Sequence, residues 1–209
     1  MSDSIALAAF IDRWRTSPFG LIETAPWLVI KNIEHHVRTI SRTLAEGYHC
    51  DGDVLIHRSA IVEPGATVKG PAIIGPDSFV AAGAYLRGGV FLEKECIIGP
   101  GSEVKSSVIF RGSKLAHLNF VGDSILGREV NVEAGAIIAN YRNELDDKAI
   151  NILFEGAVIE TGLEKFGALV GDGSRIGANA VLAPGAILRP NSIVARTALV
   201  DQHPGSGRG

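Results

Sequence analysis

Lys69, Arg87 and Lys105 recur at intervals of 18 residues, and His117 follows the last of them by 12. Ammonium and guanidinium groups gathered in a column can bind phosphate oxygens through charge-assisted hydrogen bonds. An imidazole titrating near neutrality can serve as a general base. Such chemistry requires the four side chains to share one surface, so the first question is whether the chain has an 18-residue structural period.

A period of six is present. Counting from Ile56 in steps of six meets Ile56, Val62, Val68, Ile74, Val80, Leu86, Leu92, Ile98, Val104 and Phe110, all apolar. Small residues such as Ala60, Ala66, Ala72, Ser78 and Ala84 follow four places later, and "VEPGAT", "IGPDSF" and "IGPGSE" supply turn residues between them. Three hexads make one coil of a parallel β-solenoid, with coils stacked about 4.8 Å apart. Lys69, Arg87 and Lys105 then lie one above another. Like charges at that spacing repel by about 1 kcal/mol or more per pair, which a bound phosphate would offset. A solvated stripe of mutually screened side chains is the equal alternative. In this count His117 takes the cations' slot, one residue after the apolar position and one strand along, which puts it on the outer surface beside the column. A purely structural histidine is the alternative there.

The count slips from Val121 to Leu126, resumes at Val132 and Ile138, and breaks at Asn140 to Asn151, a polar run expected to loop out of the coil. It returns at Val170, Ile176, Leu182, Leu188 and Val194, for roughly seven coils. Ahead of the solenoid, Trp27, Ile30, Ile33, Val37, Ile40 and Leu44 have helical spacing, with Thr24 as N-cap, Pro26 as an early helical residue and Gly47 as terminator. This helix is expected to cover the open first coil. His35 and His36 within it are expected to face solvent or pack. The domains expected are an N-terminal helical cap over 1–50, a β-helix over 51–200 with an extruded loop near 140–152, and a flexible tail over 201–209.

Several functions are excluded or disfavoured. The 209-residue chain has a net charge of −3, unsuited to a nucleic-acid or anionic-membrane surface. Two cysteines, Cys50 and Cys96, form no framework or CxxC pair. No long apolar run or signal-peptide pattern occurs, so a soluble cytoplasmic protein is expected by elimination. His57 and His117, 60 residues apart, are the only histidines in the coils, so no metal centre is expected. Neither a G-x-S-x-G elbow nor a Walker loop is present.

The run "SEVKSSVIFRGSKLAHLNFVGDSILGREVNVEAGAIIANY", Ser102 to Tyr141, resembles the acetyltransferase domain of the bifunctional N-acetylglucosamine-1-phosphate uridyltransferases/glucosamine-1-phosphate acetyltransferases. "ETGLEKFGALVGDGSRIGANAVLAPG" is similar to stand-alone β-helix proteins labelled sugar nucleotidyltransferases. The resemblance implies a mainly β fold, a left-handed parallel β-helix of hexapeptide repeats with an N-terminal α-helical cap. It implies acetyl transfer from acetyl-CoA to the amine of a sugar phosphate, in a homotrimer with the site between subunits. It assigns His117 as catalytic base and Glu103 as its support. Arg87 and Lys105 become the phosphate anchors, Asn131 and Tyr141 sugar-binding residues, and Asn140 a contact to the acetyl group. Two departures are visible. Phe120, also at a substrate-binding position, replaces a tyrosine and so lacks a hydroxyl, and Asp146 stands where a basic residue is expected, with Arg142 and Lys148 nearby. The glycine-rich nucleotidyltransferase domain is absent from this chain. A non-catalytic sugar-nucleotide binding or assembly domain and an O-acetyltransferase are the rival readings.

Overall fold

The computed structural model describes residues 5–44 and 46–205. Short parallel strands stack into a left-handed β-helix with three faces. The first face is a seven-stranded parallel sheet running from Ile61–Val62 to Ile193–Val194. The second runs from Thr67–Val68 to Leu199–Val200, and the third from Val54–His57 to Ala186–Leu188. Two long strands, Tyr85–Leu92 and Glu103–Ile109, bend round the corner between the second and third faces, joining them into one thirteen-stranded sheet.

The corners explain the glycine content. Between the first and second faces, each rung carries one residue with positive φ: Gly65, Gly83, Gly101, Leu118, Gly135, Asn179 and Thr197. The left-handed conformation turns the chain within four residues, and glycine or asparagine adopts it at least cost. Leu118, at φ 55°, and Thr197, at φ 60°, are the exceptions, and Leu118 follows His117 directly.

The inward column is built from Leu86, Leu92, Ile98, Val104, Ile109, Leu115, Val121, Leu126, Val132 and Ile138, all fully buried. The step between Val104 and Ile109 is five residues, as it is between Val121 and Leu126. The hexad count therefore slips earlier than expected, and Phe110 is apolar for another reason: it packs outside the solenoid, 6.0 Å from Trp14. The irregularity is recorded in the pairing, which is interrupted between Arg87 and Val90 on the strand opposite Lys105 and Ser107. One consequence reaches the site. His117 lies two residues after the inward Leu115, in the corner itself, and not in the cations' slot one residue after.

The third face is buried on both sides, as its near-continuous apolar strands require. Its outward column, Leu55, Ile73, Phe91, Val108, Ile125, Leu169 and Ile187, is covered by the N-terminal segment and by part of the 140–167 excursion. The expected single helix is two, Pro26–Lys31 (α1) and Ile33–Ser41 (α2), broken at Asn32, which has φ −106° and ψ 17°. Ala25, not Thr24, precedes α1, and α2 ends at Ser41, well before Gly47. These helices lie along the side wall, with α2 against the strands Ala72–Ile74, Tyr85–Leu92 and Glu103–Ile109. They pack on the outward side of the third face, and α2 reaches the first coil through Arg38, paired with Asp53. There an antiparallel strand, Tyr48–Asp51, pairs with Val54–His57.

The excursion after Ile138 is longer than the expected loop and includes an antiparallel hairpin, Asn151–Phe154 with Ala157–Glu160. Ile150, Ile152 and Phe166 are buried in the same layer as the N-terminal helices, with Phe166 6.0 Å from Trp27. The tail is held as far as His203. Leu153 N–H donates to the Gln202 carbonyl at 2.6 Å, and Ile187 N–H to the Gln202 side chain at 2.6 Å. Residues 206–209 lie outside the described residues. Phe19 links the two layers: it is fully buried, edge-on to Phe91 at 5.1 Å and stacked on Trp14 at 5.8 Å. Phe19→Ala should destabilise the protein by about 3–5 kcal/mol, measured as a shift in urea midpoint with the parallel-sheet circular dichroism signal retained before the transition.

Candidate active site

Strand register places Arg87 directly opposite Lys105, and the pairing of Val68 with Leu86 sets Lys69 beside Arg87, so the expected cation column exists. Its charge is already met. Arg87 donates through Nε to Glu103 Oε1 at 2.8 Å, and a second guanidinium nitrogen lies 2.7 Å from the same oxygen. Lys105 Nζ donates to Asp123 Oδ2 at 2.6 Å in a largely buried pair. Lys69 Nζ sits 5.1 Å from the ring centre of Tyr85, a cation–π contact. The repulsion that suggested an external anion is relieved by the chain's own carboxylates.

Asp123 was not legible as a site residue. It falls in "FVGDS", where the aspartate reads as a turn former, and it does occupy a corner with φ 48°. Its carboxylate also accepts a hydrogen bond from Asn140 Nδ2. The preceding Gly122 sits opposite Lys105, and a Cβ there would come within 2.7 Å of the Phe120 ring and 2.8 Å of the Asn140 side chain. Glycine is what lets Phe120 and Asn140 close over this corner.

Arg87, Lys105, Phe120, Asn140 and Tyr141 line a single open cleft of about 430 Å³, together with Glu164 and Lys165 from the end of the excursion. Five expected residues thus meet. Three do not. Glu103 borders the cleft through Arg87 but makes no bond to His117. Asn131 starts a strand of the first face, between Lys114 and Arg175, in a separate groove that also includes Glu133 and Arg196. His117 is exposed at the corner between the first and second faces, while Lys105 is at the far end of the second face, where the chain turns to the third. Among the described residues, no hydrogen bond or ion pair engages the His117 ring. Its corner is nevertheless well fixed: the buried Asn119 donates through Nδ2 to the carbonyls of Glu133 at 2.7 Å and Ala136 at 3.2 Å, and Gly135 N–H donates to the His117 carbonyl at 3.0 Å.

The basic residues near Asp146 also have other duties. Arg142 is 2% exposed beneath the tail, forked to Asp201 at 2.6 and 3.3 Å and bonded to the Pro184 carbonyl at 3.1 Å. Its Nε is buried without a partner. Lys148 donates to the Asn143 and Leu145 carbonyls and lies over Tyr141. Asp146 is exposed and does not line the cleft; Glu164 does, and Asp123 reaches it through Lys105 and Asn140. Lys165, an exposed lysine in "EKF" with no repeat register to mark it, is the excursion's cation in the cleft.

No three His, Cys, Asp or Glu side chains gather as metal ligands among the described residues. His36 packs 6.5 Å from Phe19, and its pKa is lowered by burial and then by the neighbouring His35. No helix among the described residues is long and apolar enough to cross a membrane.

The Asp201 carboxyl lies below its ordinary value of 3.8: burial alone would raise it, but hydrogen bonds from Arg142 and the His203 N–H, with the Arg142 charge, more than reverse that. A carboxyl with a lowered folded-state pKa contributes stability that is present in full above the unfolded value and disappears as pH falls through the folded one. Asp201→Asn should therefore cost about 3 kcal/mol at neutral pH, and in urea titrations the difference from the unsubstituted protein should shrink below pH 3.8.

Two family matches cover most of the solenoid: the GMPPB C-terminal domain over residues 50–151 and the hexapeptide repeat of succinyl-transferase over residues 167–195. All of the hairpin but its first residue, Asn151, falls between them. The chain is 32% identical over 173 residues to a bifunctional sugar-1-phosphate nucleotidylyltransferase/acetyltransferase of Sulfurisphaera tokodaii, covering 79% of this chain and 40% of that protein. It is 32% identical over 181 residues to the bifunctional protein GlmU of Methanococcus vannielii, covering 85% of this chain and 43% of that protein. The chain thus spans well under half the length of these relatives. Among solved structures, a hexapeptide transferase family protein from Anaplasma phagocytophilum matches at 17% identity and a TM-score of 0.35, over 70% of this chain and 72% of that one. Repeat, corner geometry and relatives agree: the chain belongs with the hexapeptide-repeat left-handed β-helix proteins and is similar over its solenoid to bifunctional sugar-1-phosphate nucleotidylyltransferase/acetyltransferases.

Proposed function

We propose that the protein is an acyltransferase that moves an acetyl group from acetyl-CoA to the amine of a sugar phosphate. The observation that carries this reading is the single cleft lined by Arg87, Lys105, Phe120, Asn140 and Tyr141, five positions that the resemblance assigns to acceptor and acetyl-group binding. In this reading Arg87 and Lys105 exchange their carboxylate partners for the acceptor phosphate, holding the amine in place. Asn140 uses one amide N–H on Asp123, leaving its second for the thioester oxygen as charge develops there. His117 takes the amine proton as the C–N bond forms. The C–S bond breaks, and the imidazolium returns the proton to the departing thiolate.

Within one chain His117 and the cleft lie at opposite ends of the second face, so the reaction needs the imidazole of one copy beside the cleft of another. A homotrimer with sites between subunits meets that need, and the exposed, unengaged His117 suits a role completed by a neighbour.

One observation favours a second reading. Arg87 and Lys105 are each paired with a carboxylate of the same chain, which suits a non-catalytic domain that binds a sugar nucleotide or supports an assembly. A coenzyme A thiol-release assay over a panel of amino sugar phosphates separates the two. Acetyl transfer should be found, and His117→Ala should lower it about 10²- to 10⁴-fold with unchanged thermal melting and oligomer size. Undiminished transfer in that variant would remove His117 as base; thermal shifts with sugar nucleotides but no thiol release would favour the second reading.

A further inference from the structure

The cleft does not end at Lys105. Glu164 and Lys165 also line an adjoining cleft of about 580 Å³, which Asp123 enters, between the third-face corner and the N-terminal helices, walled by Lys31, Asn32 and His35 on one side and by Gly88 and Ser106 on the other. Glu164 and Lys165 are common to both clefts, and the Asp123 carboxylate stands at their junction, bonded to Lys105 and Asn140 of the first.

We infer that Asp123 is a specificity-determining residue and that the acceptor phosphate is singly charged and linked onward, as in a sugar joined through a diphosphate to a further group. This rests on reading the cleft as the acceptor site. Two independent features converge on it. The first is charge: the anionic group of any acceptor that reaches Lys105 also faces Asp123, and Coulomb repulsion grows in proportion to the ligand's charge. A phosphate monoester carries about −1.5 to −2 at neutral pH, whereas each phosphorus of a diphosphate diester carries a single charge. At the Lys105 position Asp123 therefore meets more charge in a monoester than in one phosphorus of a diester, whose second charge is met by Lys165 in the adjoining cleft. The second is space. A sugar monophosphate ends at the phosphate, and the second cleft would be left empty; a diphosphate-linked acceptor places its second phosphate beside Lys165 and continues toward Lys31 and His35.

Titration calorimetry tests this with glucosamine 1-phosphate and uridine-diphosphate-linked glucosamine as probes, each added to the full chain and to Asp123→Asn and Lys31→Ala. Asparagine tolerates the positive φ of this corner, so the first variant keeps the turn. The linked sugar should bind the unsubstituted protein at least about tenfold tighter, a difference of about 1.4 kcal/mol. Asp123→Asn should tighten glucosamine 1-phosphate by a similar factor with a smaller effect on the linked sugar. Lys31→Ala should weaken only the linked sugar. Equal or tighter binding of the monoester by the unsubstituted protein, or indifference to Asp123→Asn, would overturn the inference. Absence of binding by either probe would overturn it together with the phosphate role of the cleft. If Asp123→Asn fails to fold, the ratio for the unsubstituted protein and the Lys31→Ala result decide. Because binding is read without thiol release, a failure here is separate from a failure of acetyl transfer, and the preference should persist in His117→Ala.

Discussion

A parallel rung can close on itself only if the backbone reverses at every corner within a few residues, and nearly every corner here does so by placing one residue in the left-handed region. That constraint sets the 17- or 18-residue spacing between rungs and hence which side chains become vertical neighbours. It also places two residues of the proposed chemistry. His117 immediately precedes the positive-φ Leu118, where a bulky side chain is held in a conformation costing about 1 kcal/mol or more, and Asp123 is itself a positive-φ corner residue. The strain is tolerated because neighbouring rungs over-determine the corner, through Asn119 and the Gly135 N–H at one and through Lys105 and Asn140 at the other.

Stacked cations on a solenoid face invite one of two solutions, an external anion or internal counter-ions. This chain carries the internal ones, Glu103 for Arg87 and Asp123 for Lys105. An anionic ligand must then compete with groups already in hydrogen-bond contact. In the proposed reading, this competition favours ligands that offer more than a single phosphate. The cost of leaving a partly buried carboxylate without its partner makes this competition sharper at Lys105 and Asp123 than at the more exposed Arg87 and Glu103.

The side wall shows the same economy in apolar terms. A sheet face with an outward column from Leu55 to Ile187 needs a cover, and the N-terminal helices, the hairpin and Phe166 provide it. That layer also brings Lys31, Asn32 and His35 to the solenoid corner at Gly88 and Ser106. The cover is thus a wall of the cleft as well as a lid on the apolar face.

Hexad periodicity, turn residues and an 18-residue spacing were readable because they are local: they report what each few residues must do to make a rung. The parallel β-helix and the column of Lys69, Arg87 and Lys105 follow from that alone; His117 is exposed, but at a corner away from the column and not in the slot the count assigned. Phe110 misled the count because apolarity does not say which side of a wall a residue faces. Asp123 reads as a turn former and Lys165 as a surface lysine, since neither has a repeat position that marks it. Their meeting with Lys105, the burial of Arg142 under Asp201 and the placement of α1 and α2 along the side wall were decided only by tertiary structure. The physical reason is that charge pairing and coverage of an apolar face depend on which distant segments pack together, and periodicity within a rung carries no information about that.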